Sequence, residues 1–162
     1  MTLQHNAQIP EAESKERLRL WLGLLKASRS IEATLRENLR TEFGSTLPRF
    51  DVMSALSRFE DGLKMSQISE LLRVSNGNIT WIVDRLAEDG CVVRIPVSGD
   101  RRAFLVRLTP HGKEEFSIQA KAHEVWIDEM LSGLDVVESI EIRSKLGQLV
   151  NTLKETKDEP SH

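Results

Sequence analysis

The stretch from Met65 to Gly112 limits the possible folds more than any other part of the chain. Its first part, MSQISELLRVSNGNITWIVDRLAEDG, has the apolar spacing of two short amphipathic helices meeting at a tight corner. Met65, Ile68, Leu71 and Leu72 form the inward side of the first helix. Ile79, Ile82, Val83 and Leu86 recur at i, i+3, i+4 and i+7 and form that of the second. Ser75 precedes this second helix as an N-cap whose hydroxyl can accept a hydrogen bond from the Asn78 N–H. Gly90 closes it as a left-handed cap. The second part, CVVRIPVSGDRRAFLVRLTPHG, carries two β-prone runs, Cys91 to Ile95 and Ala103 to Leu108. Between them lies a tip of Ser98, Gly99, Asp100, Arg101 and Arg102.

The rest of the chain reads as helix. From Ser14 to Phe43, Leu18, Trp21, Leu25, Ser28, Leu35, Leu39 and Phe43 recur at three, four or seven residues, and Leu20, Leu22, Leu24 and Ile31 widen the stripe. A helix apolar on more than one side has more than one partner, a second chain among the candidates. Gly44 ends it, and Thr46 caps the next helix with Pro48 in its first turn. Phe50, Met53, Leu56 and Phe59 form that helix's expected buried stripe, before a turn at Asp61-Gly62. Thr109 caps a fifth helix with Pro110 at its first position. Its inward side holds Phe116, Ala120, either His123 or Glu124, and Ile127. Asp135 and Glu138 fit a capping box for the last helix, along which Ile142, Leu146, Leu149 and Leu153 repeat. The fold class is therefore mainly α with a small β hairpin. A helix pair followed by a basic hairpin is the layout of a winged helix-turn-helix, which sets one helix in the DNA major groove and a hairpin beside it.

Charge distribution supports that surface. The whole chain carries −3, yet the segment 94–107 holds Arg94, Arg101, Arg102 and Arg107 against Asp100 alone. A local basic patch on a mildly acidic protein suits contact with DNA at one face. On the second helix of the pair, the side away from the apolar stripe carries Gly77, Asn78, Thr80, Trp81, Asp84 and Arg85, with Asn76 near the start. Asparagine can pair with adenine edges, and threonine reaches a base or a phosphate. Gly77 lets the backbone approach the duplex. Trp81 has two readings: contact with thymine methyls or sugar, or packing on a neighbouring loop. An arginine at a hairpin tip can enter a narrow A·T minor groove, and Asp100 can hold an arginine by a charge-assisted hydrogen bond.

These residues resemble the MarR family of bacterial transcription regulators. The matching stretches are LPRFDVMSAL (47–56), MSQISELLRVSNGNITWIVDRLAEDGCVVR (65–94), the D-x-R motif at Asp100-Arg101-Arg102 and LTPHG (108–112). The resemblance implies a winged helix-turn-helix within an all-helical dimerisation scaffold of six helices. One domain would cover 14–155, between polar tails at 1–13 and 156–162. Its dimerisation helices would occupy 14–45 and 110–155, and its winged helix-turn-helix 46–109. It also implies a homodimer, a pseudo-palindromic double-stranded operator and repression relieved by small anionic or aromatic ligands. Carried over residue by residue, Ser75, Asn76, Asn78 and Thr80 are reader positions and Asp100 and Arg102 the wing pair. Trp81 departs from the small or polar residue expected there. RLRLWLGLL, TLPRFDVMSAL and RVSNGNITWIVDRL are similar to a subgroup that senses aryl-CoA thioesters. For such a ligand Arg29, Arg36, Arg40 and Arg49 could meet the phosphates. Trp21, Leu25, Phe50, Met53 and Phe116 could line the acyl slot, although core packing accounts for each of these apolar residues as well.

No catalytic or cofactor motif stands out, so neither an enzyme nor a cofactor is expected. The scattered His5, His111, His123 and His162 do not have zinc spacing. Cys91, the single cysteine, begins an apolar strand and reads as a buried structural thiol rather than a peroxide sensor. A lone thiol, no signal-peptide pattern and no apolar run near the roughly 20 residues of a membrane span point to the cytoplasm and away from membranes. Two function classes remain: a ligand-responsive DNA-binding regulator, and a winged-helix protein-interaction module without sequence-specific DNA binding.

Overall fold

The computed structural model describes residues 11–158; the polar ends 1–10 and 159–162, with His5 and His162, lie outside the described residues. In chain order the elements are α1 (Glu11–Phe43), α2 (Leu47–Leu56), β1 (Leu63–Lys64), α3 (Met65–Leu72), α4 (Asn76–Glu88), β2 (Val92–Val97), β3 (Asp100–Leu108), α5 (Pro110–Leu131) and α6 (Val136–Asp158). Six helices thus accompany a three-stranded antiparallel sheet of order β1-β3-β2. The expected hairpin gains a third strand, because Leu63 and Lys64 pair with Val106 and Leu105. The chain divides into two compact units within α5, one ending at Glu124 and the other starting at Val125.

In the first unit, local capping chemistry sets where helices begin. Thr46 Oγ1 accepts from Arg49 N at 3.4 Å, and Ser75 Oγ from Asn78 N at 3.5 Å. Thr109 Oγ1 accepts from Gly112 N at 3.0 Å. α1 starts at Glu11, ahead of the expected Ser14, and the three residues taken from the polar tail are helical. Ion pairs Glu11–Lys15 and Glu13–Arg17, each spaced i,i+4 with the acid nearer the N-terminus, support that extra turn.

One core joins the elements between α2 and β3. Val52, Met53 and Leu56 of α2 meet Leu63, Ile68 of α3, and Ile79, Ile82, Val83 and Leu86 of α4. Cys91, Val92, Val106 and Leu108 close it from the strands. Two expected members are outside. Phe59 is 42% exposed, because α2 stops at Leu56 and the chain continues in tight turns, Phe59 N to Leu56 O and Gly62 N to Phe59 O. Leu71 is 53% exposed, because the eight-residue α3 turns Ile68 and Leu72 inward and leaves Leu71 on its outer edge. In α1 only Leu35 and Leu39 are buried, while Leu18, Leu20, Trp21 and Leu22 stay exposed in the single chain.

On α5 the inward side is shifted from the expected one. Gln119 and Trp126 are the buried residues. Phe116, Ala120, His123 and Ile127 are half-buried, and Glu124 is exposed, which settles the choice between His123 and Glu124. The His123 imidazole stacks on Phe50, with centroids 4.7 Å apart and planes inclined by 18°. Burial pushes the His123 pKa below the ordinary histidine value. A folded-state pKa below the unfolded one means that the unfolded chain binds more protons. Stability is therefore held above the unfolded value, about 6.5, and declines as pH falls below it. Thermal unfolding at pH 7.5 and 5.5 should show His123→Phe losing less stability on acidification than wild type; an identical loss would remove His123 as the cause.

In the second unit, the capping box forms as expected. Asp135 N donates to Glu138 Oε2, and Glu138 N to Asp135 Oδ1, both at 2.9 Å. α6 runs to Asp158, past the expected end at 155. Its Val136, Val137, Ile140, Ile142, Leu146, Leu149, Val150 and Leu153 are all exposed in the single chain.

Candidate nucleic-acid interface

α4 separates its two faces cleanly. Ile79, Ile82, Val83 and Leu86 are buried, while Asn76, Gly77, Asn78, Thr80, Trp81 and Arg85 are exposed. The corner before it is tight. Arg73 closes α3 in the left-handed conformation at φ 52°, and Ser69 Oγ donates to the Val74 carbonyl. Ser75 sits at the cap, so its oxygen is already engaged with the Asn78 N–H. Thr80 Oγ1 donates back to the Asn76 carbonyl at 2.9 Å, which leaves that oxygen an acceptor only.

The hairpin is built differently from a plain two-strand ladder. Gly99 takes φ 87° at the tip. Pro96 pairs with Phe104, but the next pair is Val97 with Asp100. Arg101, Arg102 and Ala103 therefore lie opposite no residue of β2 and bulge from the strand. Bulges re-aim side chains, and here they put two arginines on the outside of the turn. Asp100 Oδ1 accepts from the backbone N of Arg102 at 2.9 Å. The expected grip on an arginine guanidinium is thus replaced by a bond that orders the turn. Among the described residues neither Arg101 nor Arg102 forms an ion pair, and both are exposed. Their charges face solvent uncompensated.

One positioning residue escaped the sequence reading. Arg94, on β2, forms an ion pair with Asp84 of α4, and its guanidinium carbon lies 5.3 Å from the Phe104 ring centroid. It ties the helix to both strands of the hairpin, so the polar face and the arginine bulge keep a fixed relation. The only sequence signal was an acid and a base ten residues apart in flanking elements.

A MarR family model matches residues 43–103. A MarR family transcriptional regulator of known structure from Silicibacter pomeroyi is 30% identical. It superposes with a TM-score of 0.74 over 87% of this chain and 97% of that one. The chain belongs to the MarR family. Two curated relatives match over a smaller extent. The transcriptional activatory protein BadR of Rhodopseudomonas palustris is 30% identical over 64% of this chain and 59% of BadR. The HTH-type transcriptional regulator PecS of Dickeya dadantii is 29% identical over 62% and 61%. The match thus spans about three fifths of the length of those two relatives.

The other residue set singled out in this MarR chain is dispersed. Phe50 and Met53 are buried, and Phe50 packs on Phe116 with centroids 5.5 Å apart. Leu25 and Arg29 line an open groove of about 410 Å³ along α1 with Leu22, Lys26, Ser30 and Ala33. Trp21 is exposed on the same helix. Three of the four arginines already have carboxylate partners: Arg36 with Glu32 at 2.9 Å, Arg40 with Glu37 at 2.6 Å, and Arg49 with Asp89 at 2.6 Å. Arg36 and Glu32 also act on Asp51, whose pKa is raised chiefly by burial. Cys91 is buried and its thiol pKa is pushed up by burial, which disfavours the reactive thiolate. Among the described residues no His, Cys, Asp or Glu cluster could hold a metal, and no helix is long and apolar enough to cross a membrane.

Proposed function

We propose that this MarR-family chain is a sequence-specific regulator that binds double-stranded DNA as a homodimer in the cytoplasm, chiefly as a repressor. α4 enters the major groove with Asn76, Asn78, Thr80 and Trp81 toward base edges and with Ser75 at the cap. Gly77 lets the backbone come near, and Arg85 lies further along the same helix. Arg101 and Arg102 follow the adjoining backbone or minor groove, with Asp100 holding their turn. The observation that carries this reading is the pairing of an exposed polar helix face with an uncompensated arginine bulge, locked together through Arg94 and Asp84. The exposed apolar side chains of α6, and Leu18 to Leu22 of α1, support self-association, since such surface is rare on a monomer. Two copies would set their α4 helices roughly 34 Å apart on a pseudo-palindromic operator.

The effector is a small aromatic anion or an aryl-CoA thioester. Arg29, unlike Arg36, Arg40 and Arg49, has no ion pair among the described residues and lies in the α1 groove. That leaves it the available cation of the four, with Trp21 and Leu25 nearby on the helix. The test is capture of genomic duplex fragments by the purified chain at low ionic strength, repeated with hydroxycinnamoyl-CoA and with free CoA. The expected result is preferential retention of a few fragments by a species of twice the chain mass, with release by the thioester. Retention of no fragment above background would favour the protein-interaction reading instead. Retention indifferent to saturating thioester would remove the aryl-CoA effector alone.

A further inference from the structure

Gly77, Trp81 and Arg85 stand four residues apart on α4 and share one side of it. Trp81 is 60% exposed, the largest apolar group on a face otherwise made of amides, a hydroxyl and charge. Its ring is braced from the C-terminal side. The Arg85 guanidinium carbon lies 5.7 Å from the ring centroid, and Glu88 accepts from the same guanidinium at 3.0 Å. Arg85 is therefore shared between a carboxylate and a ring face. It stiffens the indole rather than offering a free cation.

The other side of the ring is open. Nothing lies within 4 Å of the point where a side chain on Gly77 would begin. Helical side chains lean toward the N-terminus, so the indole projects toward the turn that Gly77 leaves bare. The neighbouring Thr80 hydroxyl has turned its proton onto its own helix. The result is a rigid apolar face beside a vacant notch, on the side of the helix that the DNA-binding reading assigns to the groove. Among the groups on base edges in the major groove, the 5-methyl of thymine is the apolar one; the others are hydrogen-bond donors and acceptors. The packing reading for Trp81 is disfavoured by its exposure, since a residue seated on a neighbouring loop would lose more surface.

We propose that Trp81, braced by Arg85 and Glu88 and given room by Gly77, is the residue that reads a thymine methyl group in each operator half-site. The inference rests on the DNA-binding function proposed above, and the test separates the two. The full chain selects duplexes from a randomised library. Each thymine of the enriched half-site is then replaced in turn by deoxyuridine, which removes the methyl and nothing else. At one thymine per half-site the swap should weaken wild-type binding about fourfold, the worth of burying one methyl-sized group. Trp81→Ala should bind more weakly and fail to distinguish the two duplexes. Gly77→Ala should bind more weakly while melting no lower than wild type, because its methyl group fills the notch without touching the protein. Wild-type binding indifferent to every swap would overturn the proposal without any variant. So would methyl sensitivity retained in Trp81→Ala, or full affinity in Gly77→Ala. A library from which wild type enriches nothing would overturn the DNA-binding reading as well; enrichment without methyl sensitivity would overturn this inference alone.

Discussion

Gly112→Ala is expected to destabilise the first unit by roughly 2–4 kcal/mol, read as a lower midpoint in thermal or urea unfolding. A Cβ on Gly112 would lie 1.9 Å from the Cys91 carbonyl oxygen, 2.7 Å from its carbon and 3.0 Å from its Cα. These are backbone atoms, so no rotamer change relieves the clash. The Cys91 peptide is itself pinned: its N–H donates to Leu86 O at 2.8 Å, and its carbonyl accepts from Thr109 N at 3.0 Å. The Gly112 side is pinned as well, through its own N–H to Thr109 Oγ1 and the Thr109 hydroxyl to Gly90 O at 2.6 Å. Moving either segment breaks bonds that join the start of α5 to the end of α4 and the start of β2. Gly147→Ala is the control. It lies in α6 with nothing within 4 Å of the added methyl, and it should be neutral or stabilise by about 0.4–1 kcal/mol. Equal effects at the two positions would mean that glycine acts at 112 through backbone entropy rather than through contact.

That glycine also shows where sequence reasoning runs out. The caps at Thr46, Ser75, Thr109 and Asp135 were legible because a hydroxyl or carboxylate and the N–H it meets are three residues apart or fewer. The buried stripe of α4 was legible because four apolar residues repeat with the helix period. Gly112 was legible as part of LTPHG, but its reason was not, since Cys91 is distant in sequence and meets it only once α5 crosses the sheet. β1 is two residues long, too short to show alternation, and it exists because β3 offers it a ladder. Gln119 was passed over on α5 because its polarity hides it from an apolar-period search, whereas burial is decided by what packs above it. The candidate interface divides in the same way. The outward residues of α4 followed from its inward ones. The bulge at Arg101 to Ala103, the bond from Arg102 N to Asp100 and the Arg94–Asp84 tie depend on strand register, which neither composition nor spacing reveals.

The bulge makes Arg102→Ala an informative single change. Asp100 holds the Arg102 backbone N–H, and alanine keeps that N–H, so the turn should persist and the fold should melt as wild type does. What is removed is one exposed guanidinium with no carboxylate partner among the described residues. If it meets a phosphate or a narrow minor groove, affinity for a selected operator should fall about 10- to 100-fold, the range of a charge-assisted hydrogen bond. The slope of log affinity against log salt should become shallower by about 0.9 per lost phosphate contact, hence by nearly two for a dimer using both wings. Arg102→Lys separates the two settings, because a lysine preserves a phosphate contact and its salt slope but loses the flat guanidinium that fits a narrow groove. Asn78→Ala is the complementary case: a base-edge contact should change which sequences are enriched while leaving the salt slope near that of wild type. Arg102→Ala binding with unchanged affinity and unchanged slope would reduce the hairpin to a solvated turn. The polar face of α4 would then lack the electrostatic anchor that holds a reader helix in register on the duplex.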